Sequence, residues 1–344
     1  MRILIVMDPG IVIPVKGYGG IERIIEMLAN EYLILGHEVD LLITRGSKVK
    51  GALVHGYGSA NFPPSKSEAQ FALFFAWKFI WNKRKRYDFI HNFGRLIYLL
   101  PVLNNSVKKI MSYQREITTK NISLIHKLKP KNLQFTGCSA DLIKRANVIG
   151  KWSAIHNCCQ FDSYSLNPDY QVDAPLIFLG RIERIKGCHT AISIAKASKQ
   201  TLIIAGNVSP LEDEKLYFET EIKPQIDGIQ IKYIGSVDDA QKNKYLGLSK
   251  ALLMPIEWNE PFGIVMVEAM ACGTPVIAFN RGSVNEVIIE NITGFKVDNY
   301  DEMLNAVHNL SEINRTKCRE TAELKFDSKM IARQYLNLVT NNAN

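Results

Sequence analysis

Short apolar runs recur along the chain, each about one strand long and bounded by polar or glycine-containing loops. Arg2 to Met7, Val39 to Thr44, Pro175 to Gly180, Leu202 to Asn207, Ala251 to Ile256 and Thr274 to Phe279 carry apolar residues at consecutive positions. That pattern belongs to strands covered on both faces, as in parallel sheets flanked by helices. Weaker runs at Ala52 to His55, Asp88 to His91, Lys109 to Tyr113, Phe135 to Cys138, Ser153 to Asn157, Ile229 to Gly235 and Phe295 to Val297 predict further strands. Segments of helical length separate them, including Ile21 to about Leu35 and Asp238 to Ser249, and Ser139 has the residue type and position of an N-cap. Strand and helix alternate throughout, so the fold class is α/β with doubly wound sheets. The polar, aperiodic stretch Cys158 to Ala174 reads as a linker. It divides the chain into expected domains at 1–160 and 175–325, followed by amphipathic helix to 344. With 344 residues, 47% of them apolar, there is material for two cores.

Chemistry concentrates between Glu257 and Phe279, EWNEPFGIVMVEAMACGTPVIAF, where a predicted helix joins two buried strands. Pro261 biases Glu260 to extended backbone, and Phe262 to Cys272 has helical length, ended by Gly273 and Pro275. Glu260 therefore falls in the loop and Glu268 inside the helix. The N–H groups of Phe262, Gly263 and Ile264 at the helix start suit an anion such as phosphate. The helix is apolar on nearly every side, so an ionised Glu268 needs partners: a core Arg or Lys, or the two hydroxyls of a vicinal diol.

Glu260 and Glu268 within EPFGIVMVEAMACGTPVIA, followed by Arg281-Gly282-Ser283 and Glu286-Val287, resemble the signature of family 4 glycosyltransferases. The resemblance implies the GT-B fold, two Rossmann-like domains facing each other across a cleft, with the final helix packing back on the first domain. It implies retaining transfer of a hexose from a nucleotide diphosphate sugar to an acceptor hydroxyl. In these terms Glu260 orients the sugar, Glu268 holds the ribose hydroxyls, and a neighbouring Arg and Lys neutralise the leaving diphosphate.

Arg181 and Lys186 fit that last role on residues alone, lying together on a glycine-bounded loop after a buried strand. The resemblance extends to YGGIER, where Gly20 is expected near the donor phosphates, and to the loops carrying Asn207 and Val237, expected at the base and sugar pocket. His91, Asn92 and Arg115 follow or end strands of the first domain and are the acceptor-side candidates. The family often has a second histidine at the position of Phe93, so a sugar contact there is in doubt. Phe71 to Trp81, FALFFAWKFIW, runs into Lys83-Arg84-Lys85-Arg86. As a core helix it covers one sheet face and ends in dipole-compensating cations, and that reading is favoured over a helix laid on anionic lipid.

Formal charge +8 and a pI near 9.0 point to anionic company: a nucleotide donor, a phosphorylated acceptor or lipid headgroups. Nucleic acid is not an expected partner. Six cysteines without C-x-x-C spacing, and a strand that begins at Arg2 with no leader before it, make a reducing cytoplasm the expected location, with peripheral contact at the inner membrane face as an extension of it. No Asp-x-Asp pair is present to hold a divalent cation on a diphosphate, so neither metal nor cofactor is expected. UDP is the first expectation for the donor and GDP the second, and the acceptor belongs to glycan, lipopolysaccharide or glycoconjugate synthesis. The alternatives are a non-catalytic nucleotide-sugar-binding subunit and an epimerase of the same fold.

Overall fold

The apolar runs become strands of two separate, wholly parallel sheets in the computed structural model, which describes residues 1–340 except 16, 18, 62 and 63. The first contains β1 (Arg2–Val6), β2 (Glu38–Thr44), β3 (Leu53–Tyr57), β4 (Phe89–Asn92), β5 (Lys108–Tyr113), β6 (Leu133–Gly137) and β7 (Trp152–Ala154), in the order β3-β2-β1-β4-β5-β6-β7. The second contains β8 (Leu176–Leu179), β9 (Leu202–Ala205), β10 (Ile231–Tyr233), β11 (Ala251–Met254), β12 (Val276–Phe279) and β13 (Gly294–Val297), in the order β10-β9-β8-β11-β12-β13. Strand order reverses beside β1 in one sheet and beside β8 in the other. The crevices outside the carboxyl ends of β1/β4 and β8/β11 are thus the natural ligand positions. Tyr18, the first residue of the YGGIER stretch, lies outside the described residues.

The chain forms two compact units, residues 1–158 with the helix Ser328–Thr340, and residues 159–327. In the first, the helix Ser328–Thr340 packs on the helix Gly20–Ile34, and Ser328 Oγ donates to Glu31 Oε1 at 2.6 Å. In the second, β11 and β12 are buried along their whole length, and the helix Ile264–Ala271 buries every residue from Met266 onward. The segment read as a linker is docked on the second unit. Arg319 donates to the carbonyls of Phe161, Tyr164 and Ala271, and Arg315, 2% exposed, donates to those of Asn167, Gly247 and Ser249 and to Thr274 Oγ1.

One element departs from the favoured reading. The aromatic segment lies in the helix Lys66–Lys83, which starts five residues before Phe71 at a capping box made by Ser65 and Glu68. It packs on the segment Leu96–Val102 and beside β3, but the side chains it buries are Ala72, Ala76 and Ile80, and it leaves Phe71, Phe74, Phe75 and Trp81 exposed. A helix apolar all round gives no sign in its sequence of which face will be buried.

Candidate functional site

The second sheet's switch point is built from two loops that the backbone holds together. After β8 the chain runs through Gly180-Arg181 to Lys186-Gly187; after β11 it runs through Pro255 to Glu260. Glu257 N donates to Ile185 O at 2.8 Å. Gly187 sits at φ +73°, where an added Cβ would lie 1.9 Å from Pro255 O, so only glycine lets the loops approach this closely.

That approach brings Lys186 to Glu260. Lys186 Nζ donates to Glu260 Oε2 at 2.6 Å, and Trp258 Nε1 donates to the same oxygen at 3.1 Å. The ammonium also lies 4.9 Å from the centre of the Trp258 ring. Both charged side chains are mostly shielded, 23% and 12% exposed, so the pair is only weakly screened. Arg181 turns instead to Glu183 on its own loop, at 2.8 Å. Each cation of the expected clamp therefore arrives already paired with a carboxylate.

Behind Glu260 stands the Arg281-Gly282-Ser283 segment. Ser283 N donates to Glu260 O at 2.9 Å and Ser283 Oγ donates to Phe262 O at 2.8 Å. The helix after Glu260 starts at Ile264, two residues later than its sequence suggests, because Gly263 takes φ +73° as its N-cap. Phe262 is a core side chain, 2% exposed, packed edge-on against Phe326. Ile264 thus opens the helix at the carboxyl end of β11, where its dipole favours an anion.

Glu268 has the ionic partner that a buried acid requires. Lys242 Nζ donates to its Oε1 at 2.5 Å and Tyr164 OH donates to the same atom at 3.0 Å, with Lys242 and Glu268 side chains 11% and 8% exposed. Among the described residues neither bond falls on Oε2. Neither Lys242, on a largely polar helix, nor Tyr164, in the supposed linker, was a sequence candidate. Asn207 is exposed and Val237 half-buried, on the loops that follow β9 and β10. Asn207 O receives the Ile182 N–H at 2.9 Å, which ties the loop after β9 to that carrying Arg181.

In the first unit the candidates separate. His91 is fully buried among Phe89, Phe93 and Tyr335; its Nδ1 meets Tyr32 OH at 3.3 Å and its Nε2 meets Ser112 Oγ at 2.8 Å. Burial pushes its pKa down to about 3, so it is a neutral core histidine with both ring nitrogens engaged. Asn92 is also fully buried, its side chain bonded to Gly94 N and Arg95 O. Arg115 is exposed at the end of β5. Gly20 opens the helix Gly20–Ile34, with nothing within 4 Å of an added Cβ. Two acids that sequence reasoning passed over lie in this region. Asp8 Oδ1 accepts from Arg95 Nε at 2.9 Å and from Tyr98 OH at 2.8 Å. Glu22 is 7% exposed, and its pKa is raised by burial against the opposing effects of its own backbone N–H and of Arg115.

Among the described residues no group of three or more His, Cys, Asp or Glu could hold a metal ion, and no helix is long and apolar enough to cross a membrane.

A model of the family described as Glycosyl transferases group 1 matches residues 170–324. The chain is 33% identical over 173 residues to the "Uncharacterized 41.2 kDa protein in cps region" of Klebsiella pneumoniae, a match covering 47% of this chain and 45% of that protein. The chain thus spans under half the length of that curated relative. Sucrose-phosphate synthase from Thermosynechococcus elongatus superposes with a TM-score of 0.80 at 18% identity, covering 99% of this chain and 98% of that one. The Anabaena protein HepE, solved in complex with UDP-glucose, superposes with a TM-score of 0.73 at 16% identity, over 99% and 100% of the two chains. The fold is GT-B. It consists of two parallel-sheet, Rossmann-like α/β domains.

Proposed function

We propose that the protein is a retaining glycosyltransferase of family 4, moving a hexose from a nucleotide diphosphate sugar to an acceptor hydroxyl without a divalent cation. The observation that carries this reading is the Lys186–Glu260 contact at the switch point of the second sheet, beside the start of the helix Ile264–Ala271. The match to the group 1 family over residues 170–324 covers every residue of that constellation.

In the proposed step the bond from the anomeric carbon to the diphosphate breaks, and the acceptor oxygen bonds to that carbon on the same face. The acceptor's proton passes to the departing phosphate. Negative charge grows on the diphosphate, and preorganised positive charge lowers the barrier to its departure. Lys186, Arg181 and the helix start at Gly263 and Ile264 supply that charge. Their carboxylate partners hold the cation heads in position before the donor arrives. Glu260, its Oε2 held by Lys186 and Trp258, turns Oε1 to the sugar and favours positive charge near its ring. Glu268 keeps Oε2 for the ribose hydroxyls, while Asn207 and Val237 border the base and sugar. In the first unit, Arg115 is the exposed cation available to an acceptor, and His91 and Asn92 serve the core. UDP is the preferred donor nucleotide, as in the HepE complex, with GDP second. The acceptor is a growing glycan, lipopolysaccharide or glycoconjugate, and the reaction runs on the cytoplasmic side.

Purified protein is incubated in EDTA with UDP-, GDP- and ADP-sugars, and release of nucleoside diphosphate is followed. Release from one donor class, undiminished by EDTA, is expected. Strict dependence on Mg²⁺ or Mn²⁺, or no release and no thermal shift with any donor, refutes the reading.

A further inference from the structure

We propose that the helix Lys66–Lys83 docks the protein on an anionic lipid surface, lying in the plane of the interface. The helix is organised in reverse: it buries Ala72, Ala76 and Ile80 and turns aromatics to water. Phe71, Phe74, Phe75, Lys78 and Trp81 recur at the spacing of one helical stripe. Phe71 is 77% exposed, Phe74 65%, Phe75 48% and Trp81 47%, so four large aromatic side chains on three turns stand in solvent. A contiguous apolar stripe of this kind marks an interaction surface, whereas single exposed apolar residues do not. The helix packs beside β3, the edge strand of the first sheet.

Charge selects the occupant. Lys78 lies within the stripe, and Lys83, Arg84, Lys85 and Arg86 follow its C-terminal end. Lys78, Lys83 and Lys85 form no ion pair among the described residues, whereas Arg86 is within 3.6 Å of Asp40. The helix's one acid, Glu68, is consumed by its capping box and by Ser59 and Asn61. Arg84 stacks 3.7 Å over the Trp81 ring, which places a cation against an aromatic side chain suited to a headgroup layer. A second copy of the chain would bring these same cations face to face, a like-charge contact that opposes pairing. A bilayer with anionic headgroups takes the aromatics into its acyl boundary and the cations at its surface.

The inference is independent of the glycosyl-transfer reading, because vesicle binding needs no donor. Full-length protein is floated with vesicles of phosphatidylcholine, alone or with about a third phosphatidylglycerol. Binding is expected on the anionic vesicles and weakening with salt. Substituting Phe71→Ser with Phe74→Ser lowers the partition coefficient at least about tenfold, and Lys78→Gln with Lys85→Gln lowers it about fivefold per cation. All four side chains are exposed, so thermal unfolding stays unchanged. The inference is overturned if anionic vesicles are not bound, or if binding is indifferent to both double substitutions. It is also overturned if light scattering finds a dimer that Phe71→Ser with Phe74→Ser dissociates while no vesicle is bound.

Discussion

Gly282→Ala tests whether the position of Glu260 matters to the reaction. Gly282 has φ +61°, and a Cβ added there would lie 2.4 Å from Glu260 O, 2.5 Å from Glu260 N and 2.7 Å from Asn259 C. All three are backbone atoms, so no side chain can swing away. Ordinary contact begins near 3.4 Å, and the segments must part by 3.4 − 2.4 = 1.0 Å. The Ser283 N to Glu260 O bond, 2.9 Å long, goes with that movement. Left-handed backbone costs an alanine about 1–2 kcal/mol, and the lost bond about 1 kcal/mol. Together these lower the melting temperature by roughly 4–12 °C for a unit of this size. A shift of about 1 Å at a reacting centre lowers turnover on the order of a hundredfold. Gly228→Ala is the control: its φ is +72°, but nothing lies within 4 Å of the added Cβ. It should lose stability alone. Turnover is read as nucleoside diphosphate release from the best donor of the panel, beside thermal unfolding of each variant. A folded Gly282→Ala protein working within about threefold of wild type would refute the reasoning.

Three further outcomes follow from the geometry. Lys242→Ala leaves Glu268 charged and buried, which costs about 3–5 kcal/mol and lowers the melting temperature by roughly 6–20 °C; a fall under about 2 °C in a thermal melt contradicts a shielded pair. Trp258→Phe keeps the ring beside Lys186 but removes a donor to Glu260; kcat/KM should drop roughly ten- to hundredfold, and an unchanged value shows that Lys186 alone fixes the acid. Glu22 has its folded pKa raised above 4.5, so its contribution to stability is full below that value and is lost as pH rises through the folded pKa. Glu22→Gln should therefore gain melting temperature over wild type increasingly from about pH 4.5 upward, and a difference that does not vary with pH would contradict this.

The strands were legible because β1, β8, β9, β11 and β12 carry apolar residues at consecutive positions, the pattern of strands covered on both faces. Their ends were not: Pro275 cannot donate to a ladder, so β12 begins at Val276, and Gly263 delays the next helix by its left-handed backbone. The aromatic helix misled because composition reports how much is apolar, not which side meets the sheet. Lys186 and Glu260 stand 74 positions apart, and only the paired loops after β8 and β11 bring them into contact. Lys242 escaped notice because a lysine on a polar helix reads as solvated; its burial follows from Glu268 beneath it. Tyr164 escaped because the segment holding it has no period, and its placement depends on Arg319 drawing that segment onto the second unit.

The central claim is that Lys186 and Arg181, with a helix start, hold a diphosphate without a divalent cation. Calorimetric titration of UDP, GDP and ADP into the protein in EDTA tests it most directly. One nucleotide should bind, and Lys186→Ala should weaken it at least about tenfold, the worth of one hydrogen bond to a charged group. Binding that appears only with Mg²⁺ or Mn²⁺, or that is equally tight in Lys186→Ala, would contradict the account.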